Sequence, residues 1–539
     1  MAAVRFAEFS GGERRMIEQV ATARGGPGRT WLGAGLVAAG LGAMAFLGGN
    51  GVAAAERSDQ PGPESGTHRA GPAKPAASSQ ARRAARAVPR PSGSPHAARL
   101  PDVRETKSTP EPRITVPAKS AFPPGPIQSA ILGMQAYIYG YPLLEFENFR
   151  SQAPALNTLW SLTGFAEPSV MPIFRPNTDT LYSRAVLDLS AGPVVLSVPD
   201  MGDRYFSFQL NDPYTNVVDY LGTRATGSGP GTYAITWDGG PAVAVEGATT
   251  VIVPFRNMML LGRTLAGDLA DQQRAVALMN DYRLTATGVT ASPPPFFAAP
   301  TGLAALDAIS KAMEINPPPI ADSAQLQAIA QIGVGPGLGV ADAALAPLSQ
   351  AAADLGARLA AALLPRLSSL NQYFTALLNE GWAAPPAAIG DYGIDYQLRA
   401  GVFYVGPWAN TVDEAMYSAG LLDQTLQPLS GRNTYLMHFA PGLEPPAAAF
   451  WSVTVYDGAG YLVPNSADRY SVSNSRPEEL VRRPDGSIDI IFASQDPGDP
   501  DANWLPIPDD IFSAYLRIYL PKQAALEGSW RPPPILRRS

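Results

Sequence analysis

The feature that most constrains the fold of this chain is a series of short sequence matches between two β-rich parts. The matches keep the same order in both parts. They pair Asp179 and Arg184 with Asp395 and Arg399, residues 207–212 with residues 452–457, Pro254 with Pro508, and Arg263 with Arg517. A duplicated β module explains this order. The alternative is chance agreement, because strands and turns draw on the same few residue types.

Alternating polar and apolar side chains predict antiparallel strands in both parts. Tyr435, Met437 and Phe439 share one side of residues 435–440, and residues 451–456 alternate in the same way. Short alternating runs, separated by Gly and Pro turns, also fill the first part. The predicted fold class is α+β, mainly β, with two similar antiparallel β-sandwich or barrel domains joined by a helical connection.

Helical spacing of apolar residues marks the segments between these strands. Residues 268–284 form one amphipathic pattern, and residues 304–378 are rich in Ala and Leu. We therefore predict a first β-rich domain at 126–290, a helical connection at 291–390 and a second β-rich domain at 391–539.

Residues 1–55 carry the pattern of an export signal. An uncharged stretch at 31–49 follows several arginines and leads into Ala53-Ala54-Ala55, which is typical of a signal-peptidase site. Retention as a membrane anchor is the alternative, because a stretch of this length nearly spans a bilayer. Either outcome predicts an exported, extracytoplasmic protein of the cell envelope, secreted or anchored to the cytoplasmic membrane.

Residues 56–125 are predicted to be a disordered spacer. Pro, Ala, Ser, Gly and Arg dominate this segment, so it buries too little apolar surface to offset its ordering entropy. Residues 1–120 contain 17 Lys/Arg and 9 Asp/Glu, whereas the remainder contains 23 and 38. The acidic remainder argues against nucleic acid as a partner, because phosphate binding needs clustered Lys and Arg.

The residue types that are missing exclude several kinds of chemistry. The chain has no cysteine, which excludes disulfides, thiol nucleophiles and Cys-ligated metal centres. His68 and His96 lie in the spacer, so His438 is the one histidine left for a His-ligated metal in the folded part. No nucleophile elbow, phosphate loop or dinucleotide fingerprint follows a convincing strand.

Residues 174–188 and 204–224 resemble the bacterial domain of unknown function 1254. Residues 435–457, 465–470 and 503–508 resemble the domain of unknown function 1214 that commonly follows it. The resemblance covers about 126–534. It implies two β-rich domains with a helical connection, often in exported proteins, and it implies no established activity or catalytic residues.

One functional hypothesis centres on His438 as a general base toward a water or a Ser. Asp179, Asp212 or Asp457 would orient the imidazole, and the protein would be an extracytoplasmic hydrolase. The alternative is a half-buried strand histidine whose ring is satisfied by a backbone carbonyl.

The other hypothesis, which we favour, is a cavity between the two β domains that binds a small anionic or amphiphilic ligand. Arginines would hold the anion, and aromatic rings would contact the apolar part. The candidate ligand contacts are Asn177, Tyr182, Arg204, Arg224, Tyr435, Trp451, Arg469, Asn503 and Trp504, with Arg517 as a further arginine of this kind. Buried ion pairs and ordinary core packing are the alternatives.

A run of acidic residues near the C-terminus raises the question of a metal. Asp496, Asp499 and Asp501 offer only oxygen ligands, which suits calcium. The run lacks EF-hand spacing, and a solvated turn uses the same residue types. We predict no other cofactor.

Overall fold

Each β-rich part contains one five-stranded and one four-stranded sheet in the computed structural model, which describes residues 123–168, 174–295 and 300–538. The strands of the first part are β1 (Trp160–Ser161), β2 (Thr180–Asp188), β3 (Val194–Val198), β4 (Phe206–Asn211), β5 (Val217–Gly222), β6 (Gly231–Trp237), β7 (Thr249–Val253), β8 (Asn257–Leu265) and β9 (Arg283–Ala286). Those of the second part are β10 (Trp382–Ala383), β11 (Ala415–Gly420), β12 (Thr434–Phe439), β13 (Ala447–Asp457), β14 (Ser471–Ser473), β15 (Ile488–Ala493), β16 (Asn503–Pro506), β17 (Phe512–Pro521) and β18 (Leu536–Arg538).

The helices of the described residues lie before, within and between these parts. They are α1 (Pro126–Ser151), α2 (Leu269–Met279), α3 (Leu303–Ile315), α4 (Ser323–Ala330), α5 (Pro347–Leu378), α6 (Tyr396–Val405) and α7 (Gln523–Leu526). The amphipathic pattern at 268–284 corresponds to α2, which begins after Asp268 because that side chain accepts a hydrogen bond from the Asp271 N–H.

The two parts share one strand order. The five-stranded sheets run β1-β2-β8-β4-β5 and β10-β11-β17-β13-β14, and the four-stranded sheets run β7-β6-β3-β9 and β16-β15-β12-β18. All pairs are antiparallel except β6 with β7 and β15 with β16, which again correspond. The prediction of two similar, largely antiparallel β domains is confirmed.

Strand register identifies which sequence matches reflect the duplication. In the first domain Arg263 lies between Tyr182 and Ser207 on the neighbouring strands. In the second domain Arg517 lies between Tyr417 and Ser452. The matches of residues 207–212 with 452–457 and of Arg263 with Arg517 therefore hold residue by residue.

The match of Asp179 and Arg184 with Asp395 and Arg399 is wrong. Arg184 lies in β2, whereas Arg399 lies in α6. Asp395 is the N-cap of that helix and accepts a hydrogen bond from the Leu398 N–H at 3.0 Å. An Asp a few residues before an Arg occurs at the N-cap of a helix as well as before a strand. The similar spacing therefore did not indicate the same structure.

The apolar faces of the two sheets pack against each other in the second domain. Its core combines Met437 of β12, Val453 of β13, Ile490 of β15 and Leu516 of β17. The opposite, polar face is buried too, since Ser452 is inaccessible to solvent. The five-stranded sheet is therefore covered on both sides.

Helices α1 and α5 approach each other closely through glycines. A Cβ atom at Gly133 would lie 2.3 Å from the Ala353 carbonyl oxygen, and one at Gly356 would lie 2.0 Å from that of Ala130. These distances are too short for any side chain, so both glycines are required by the packing.

Among the described residues, no helix combines the length and apolar character that crossing a membrane requires. The predicted export signal and spacer fall almost entirely within residues 1–122, outside the described residues.

Candidate ligand-binding cavity

A cavity of about 450 Å³ lies where both five-stranded sheets meet the helices. Its polar part comes from β2, β8, β11 and β17 and from the loops before β2 and β11. The polar side chains that line it include Arg175, Asn177, Tyr182, Arg263, Tyr417, Tyr515, Arg517 and Tyr519. The volume lies within the range of pockets that enclose small molecules.

Arg263 is buried in β8, and every hydrogen bond that its guanidinium donates goes to a neutral oxygen. Its Nη1 donates to Gln209 Oε1 at 2.6 Å and to Asn410 Oδ1 at 3.0 Å, and its Nη2 donates to the Trp408 carbonyl at 3.1 Å. Its Nε is buried without a partner. No carboxylate of a described residue forms an ion pair with this charge.

Arg517 occupies the equivalent position in β17 and has an equivalent environment. Its Nη1 donates to Thr454 Oγ1 at 2.9 Å, and its Nη2 donates to Tyr456 Oη at 2.5 Å and to the Arg175 carbonyl at 3.4 Å. These acceptors are again neutral. Two buried guanidiniums, one from each domain, therefore border the same cavity.

The pKa directions show that these positive charges persist. Burial acts to lower the pKa of Arg263 and of Arg517, but a guanidinium pKa is so high that both side chains stay protonated at physiological pH. Burial raises the pKa of Tyr417 and of Tyr519, so both phenols are neutral at physiological pH. An uncompensated buried charge costs several kcal/mol, and an anion in the cavity would recover part of that cost.

Asp179 lies at the domain junction and partly balances Arg517. The Ser452 hydroxyl donates to Asp179 Oδ2 at 2.5 Å, and Arg476 Nη1 lies 3.7 Å from Oδ1. Asp179 also contributes, after the tyrosines, to the raised pKa of Arg517. This carboxylate is fully buried and is not among the cavity-lining residues.

Aliphatic side chains form the helical wall of the cavity. They include Met134 and Ile138 of α1, Leu363, Leu364 and Leu367 of α5, and Leu398, Val402 and Val405 of α6. The one acidic lining residue, Asp395, is at the start of α6. The helices also contribute polar side chains such as Asn371 and Gln372, so the cavity combines positive charge with polar and apolar surface.

Three of the predicted ligand contacts, Asn177, Tyr182 and Arg517, line this cavity. Asn177 Nδ2 donates to Tyr519 Oη at 2.6 Å, and Tyr182 lies beside Arg263 in the sheet. Within the second domain Asn410 Nδ2 donates to Tyr417 Oη at 2.5 Å. Two cavity tyrosines of the second domain are thus held by asparagines, one from each domain.

Three of the four predicted arginines are engaged elsewhere. Arg204 forms a bidentate pair with Asp271 at 2.6 and 2.8 Å. Arg224 pairs with Glu414 at 2.6 Å and with Asp413. Arg469 donates to the Trp504 carbonyl. None of the three lines the cavity, because each is used to join strands and loops.

The other predicted ligand contacts are structural. Tyr435 and Trp451 are buried in the core of the second domain. Asn503 bridges the backbone of Val481 and Asp489, and Trp504 Nε1 donates to the Ala493 carbonyl at 2.9 Å. Period-2 alternation places these side chains on a buried face but does not distinguish a core from a cavity.

His438 lies on the four-stranded sheet of the second domain, away from the cavity lining. Its Nδ1 is 2.6 Å from Asp489 Oδ1, and Arg483 Nε donates to the other carboxylate oxygen at 2.7 Å. The side chain is 44% exposed. The carboxylate beside His438 is thus Asp489, and the predicted orientation by Asp179, Asp212 or Asp457 is wrong.

Asp212 has a local structural role. Its carboxylate accepts hydrogen bonds from the N–H groups of Tyr214 and Asn216 and from the Asn216 side chain, each at 2.9 Å. Burial raises its pKa to about 6, although these hydrogen bonds act to lower it. It therefore stabilises the turn after β4.

The acidic run near the C-terminus forms turns. Asp496 accepts from the Gly498 N–H, and Asp499 accepts from the Asp501 N–H and pairs with Arg483 at 3.4 Å. In the described part of the chain, no group of three His, Cys, Asp or Glu side chains is arranged to hold a metal ion.

Sequence reasoning missed several cavity residues. Arg263 was recognised as half of an internal match but not as a ligand contact, and Arg175, Tyr417 and Tyr519 were not singled out. The usable signal was an arginine repeated at the same place inside two apolar strands. A buried charge in that setting needs a partner or a function.

The fold and site define a two-domain β-sandwich protein with a ligand-sized cavity at the domain junction. Residues 156–286 match the family described as Protein of unknown function (DUF1254), and residues 414–523 match Protein of unknown function (DUF1214). The chain therefore belongs to the tandem family in which these two domains follow one another, as its motifs indicated.

The fold is similar to that of a solved structure. The VPA0106 protein from Vibrio parahaemolyticus is 23% identical with a TM-score of 0.57, and the match covers 76% of this chain and all of that one. An uncharacterized protein from Burkholderia cenocepacia is 15% identical with a TM-score of 0.38, over 76% of this chain and 94% of that one. No curated protein matches the chain.

Proposed function

We propose that this protein binds a small amphiphilic anion in the cavity between its two β domains. The anionic group contacts Arg263 and Arg517, and the apolar group lies against α5 and α6. The observation that carries the proposal is the pair of buried guanidiniums, which border a ligand-sized space and have only neutral hydrogen-bond acceptors.

The energetics favour an anion over a neutral ligand. A hydrogen bond to a charged group contributes about 1.5–3 kcal/mol, and each guanidinium has five N–H donors, of which three donate to protein acceptors. The aliphatic wall adds roughly 25 cal/mol for each Å² of apolar ligand surface removed from water. A ligand with an anionic group and an apolar group can contact both the arginines and the aliphatic wall.

Isothermal titration calorimetry with decyl sulfate, kept below its micelle concentration, tests the proposal against decanol as the uncharged analogue. Arg263→Gln and Arg517→Gln should each weaken binding of decyl sulfate by about tenfold or more, since each removes a charge-assisted contact. Arg432→Gln, an exposed arginine, is the matched control and should bind like the wild type. Thermal midpoints of all variants confirm folding.

Equal affinity for decanol and decyl sulfate, or unchanged affinity in both cavity variants, would refute the proposal. The hydrolase alternative has weaker support, because His438 does not line the cavity.

We also propose that the protein is exported across the cytoplasmic membrane. The apolar stretch at 31–49, its arginine-containing flank and Ala53-Ala54-Ala55 support this. N-terminal sequencing of the mature protein distinguishes cleavage after Ala55 from retention as an anchor. Recovery of the full-length chain from the soluble cytoplasmic fraction alone would exclude both.

A further inference from the structure

We infer that the anionic group of the ligand is a dianion of the phosphate monoester class, attached to an apolar group. This inference rests on the proposed binding function and specifies its ligand. It follows from the balance of charge around the cavity and from the geometry of its arginines.

The charged residues that line the cavity are three arginines and one aspartate, namely Arg175, Arg263, Arg517 and Asp395. Their sum is two positive charges. Asp179 influences Arg517 from outside the lining, where Arg476 lies between it and the more exposed Glu479 and pairs with both carboxylates. A monoanion would therefore leave one lining charge unbalanced, whereas a dianion balances both.

Arg175 supplies the third guanidinium. Its Nη2 donates to Gln372 Oε1 at 3.3 Å, and its Nε is buried without a partner. The rings of Phe174 and Tyr515 lie 4.7 and 4.8 Å from its guanidinium carbon. No carboxylate of a described residue pairs with it, so its charge is also available to a ligand.

The arginines come from different elements, one from the loop before β2, one from β8 and one from β17. A tetrahedral phosphate presents three oxygens in different directions, which suits donors that come from separate elements. A planar carboxylate offers two oxygens in one plane. The arrangement therefore suits a phosphate monoester better than a single carboxylate.

Decyl phosphate and decyl sulfate form a pair that isolates charge, because both headgroups are tetrahedral and carry the same chain. A phosphate monoester loses its second proton near pH 6, whereas a sulfate ester stays a monoanion. Calorimetry at pH 8 should show decyl phosphate binding about tenfold more tightly than decyl sulfate, equivalent to about 1.4 kcal/mol. At pH 5 the ratio should fall to about twofold or less, since both ligands are then monoanions.

Asp212 titrates between these pH values but is not among the cavity-lining residues, and Asp212→Asn should leave the pH dependence of the ratio unchanged. In Arg263→Gln the pH 8 preference should shrink to about threefold or less, because only one net lining charge remains. Inorganic phosphate should bind much more weakly than decyl phosphate. Equal affinity for the two would show a site for free phosphate and overturn the amphiphilic part of the inference.

A phosphate-to-sulfate ratio near one at both pH values, or the same preference at pH 5 and pH 8, would overturn the dianion. That outcome would leave the proposed function intact, because decyl sulfate would still bind. Absence of binding by either ligand at any pH would instead remove the proposed function.

Discussion

Arg263 and Arg517 occupy the same position in two copies of one sheet, and both border the same cavity. Each lies in the central strand, with a tyrosine opposite on one neighbouring strand and a serine opposite on the other. A single arginine in an ancestral sheet would thus account for both charges. Duplication has placed two like charges in the lining of one cavity.

Asp179→Asn tests the contact between the two domains. Asp179 accepts a short hydrogen bond from Ser452 and supports Arg517 and Arg476 electrostatically. Removing its charge should lower the free energy of unfolding by about 2 kcal/mol, measured by urea denaturation. Asp200→Asn, an exposed aspartate in a turn, should change it by less than about 0.5 kcal/mol. If both variants change the free energy of unfolding by similar amounts, Asp179 does not stabilise the contact between the two domains.

Gly356→Ala tests the close approach of α1 and α5. The new methyl group would lie 2.0 Å from the Ala130 carbonyl oxygen, so the helices must move apart. We expect a loss of about 1–3 kcal/mol in urea denaturation, although alanine favours a helix by about 1 kcal/mol. Gly229→Ala is the control, since nothing lies within 4 Å of its added Cβ. If Gly356→Ala is more stable than the wild type, α1 and α5 can move apart at little cost in free energy.

The pH dependence of stability tests the environment of Asp212. Burial raises its folded-state pKa to about 6, above an unfolded value of about 4. The folded protein therefore binds this proton more tightly, and stability relative to Asp212→Asn should fall by about 2 kcal/mol as pH rises from 4 to 7. The difference should be constant above pH 7.

Asp271 provides the opposite sign within the same chain. Its hydrogen bonds with Arg204 lower the pKa of Asp271, so its contribution is present above pH 4 and is lost only in stronger acid. Subtracting the Asp271→Asn curve from the wild-type curve should therefore give no slope between pH 5 and pH 7. If this difference curve has a slope between pH 5 and pH 7, the change in stability over that pH range is not due to Asp212 alone.

His438→Ala separates the two functional hypotheses. His438 lies outside the cavity lining, so the variant should bind decyl sulfate with wild-type affinity. Its thermal midpoint should change little, because Asp489 keeps its pair with Arg483 and the imidazole is substantially exposed. Wild-type turnover of ester or glycoside substrates that the variant loses would support the hydrolase instead.

Local sequence determined the two β domains and the duplication. Alternation, turn residues and the paired matches at 207–212 and 452–457 are properties of neighbouring residues, so they predict strands and their repetition directly. The tandem family followed from the same stretches. Local sequence also identified Asn177 and Tyr182, which stand just before and within the first long strand.

Only the tertiary structure decided the site. The sequence shows that Arg263 and Arg517 are repeated, but not that both reach one cavity, since that depends on how the domains meet. It equally cannot show that Arg204 and Arg224 find carboxylates from distant segments, whereas the cavity arginines do not. Whether a buried charge has a partner is settled by contacts between residues far apart in the chain, and a one-dimensional pattern does not encode those contacts.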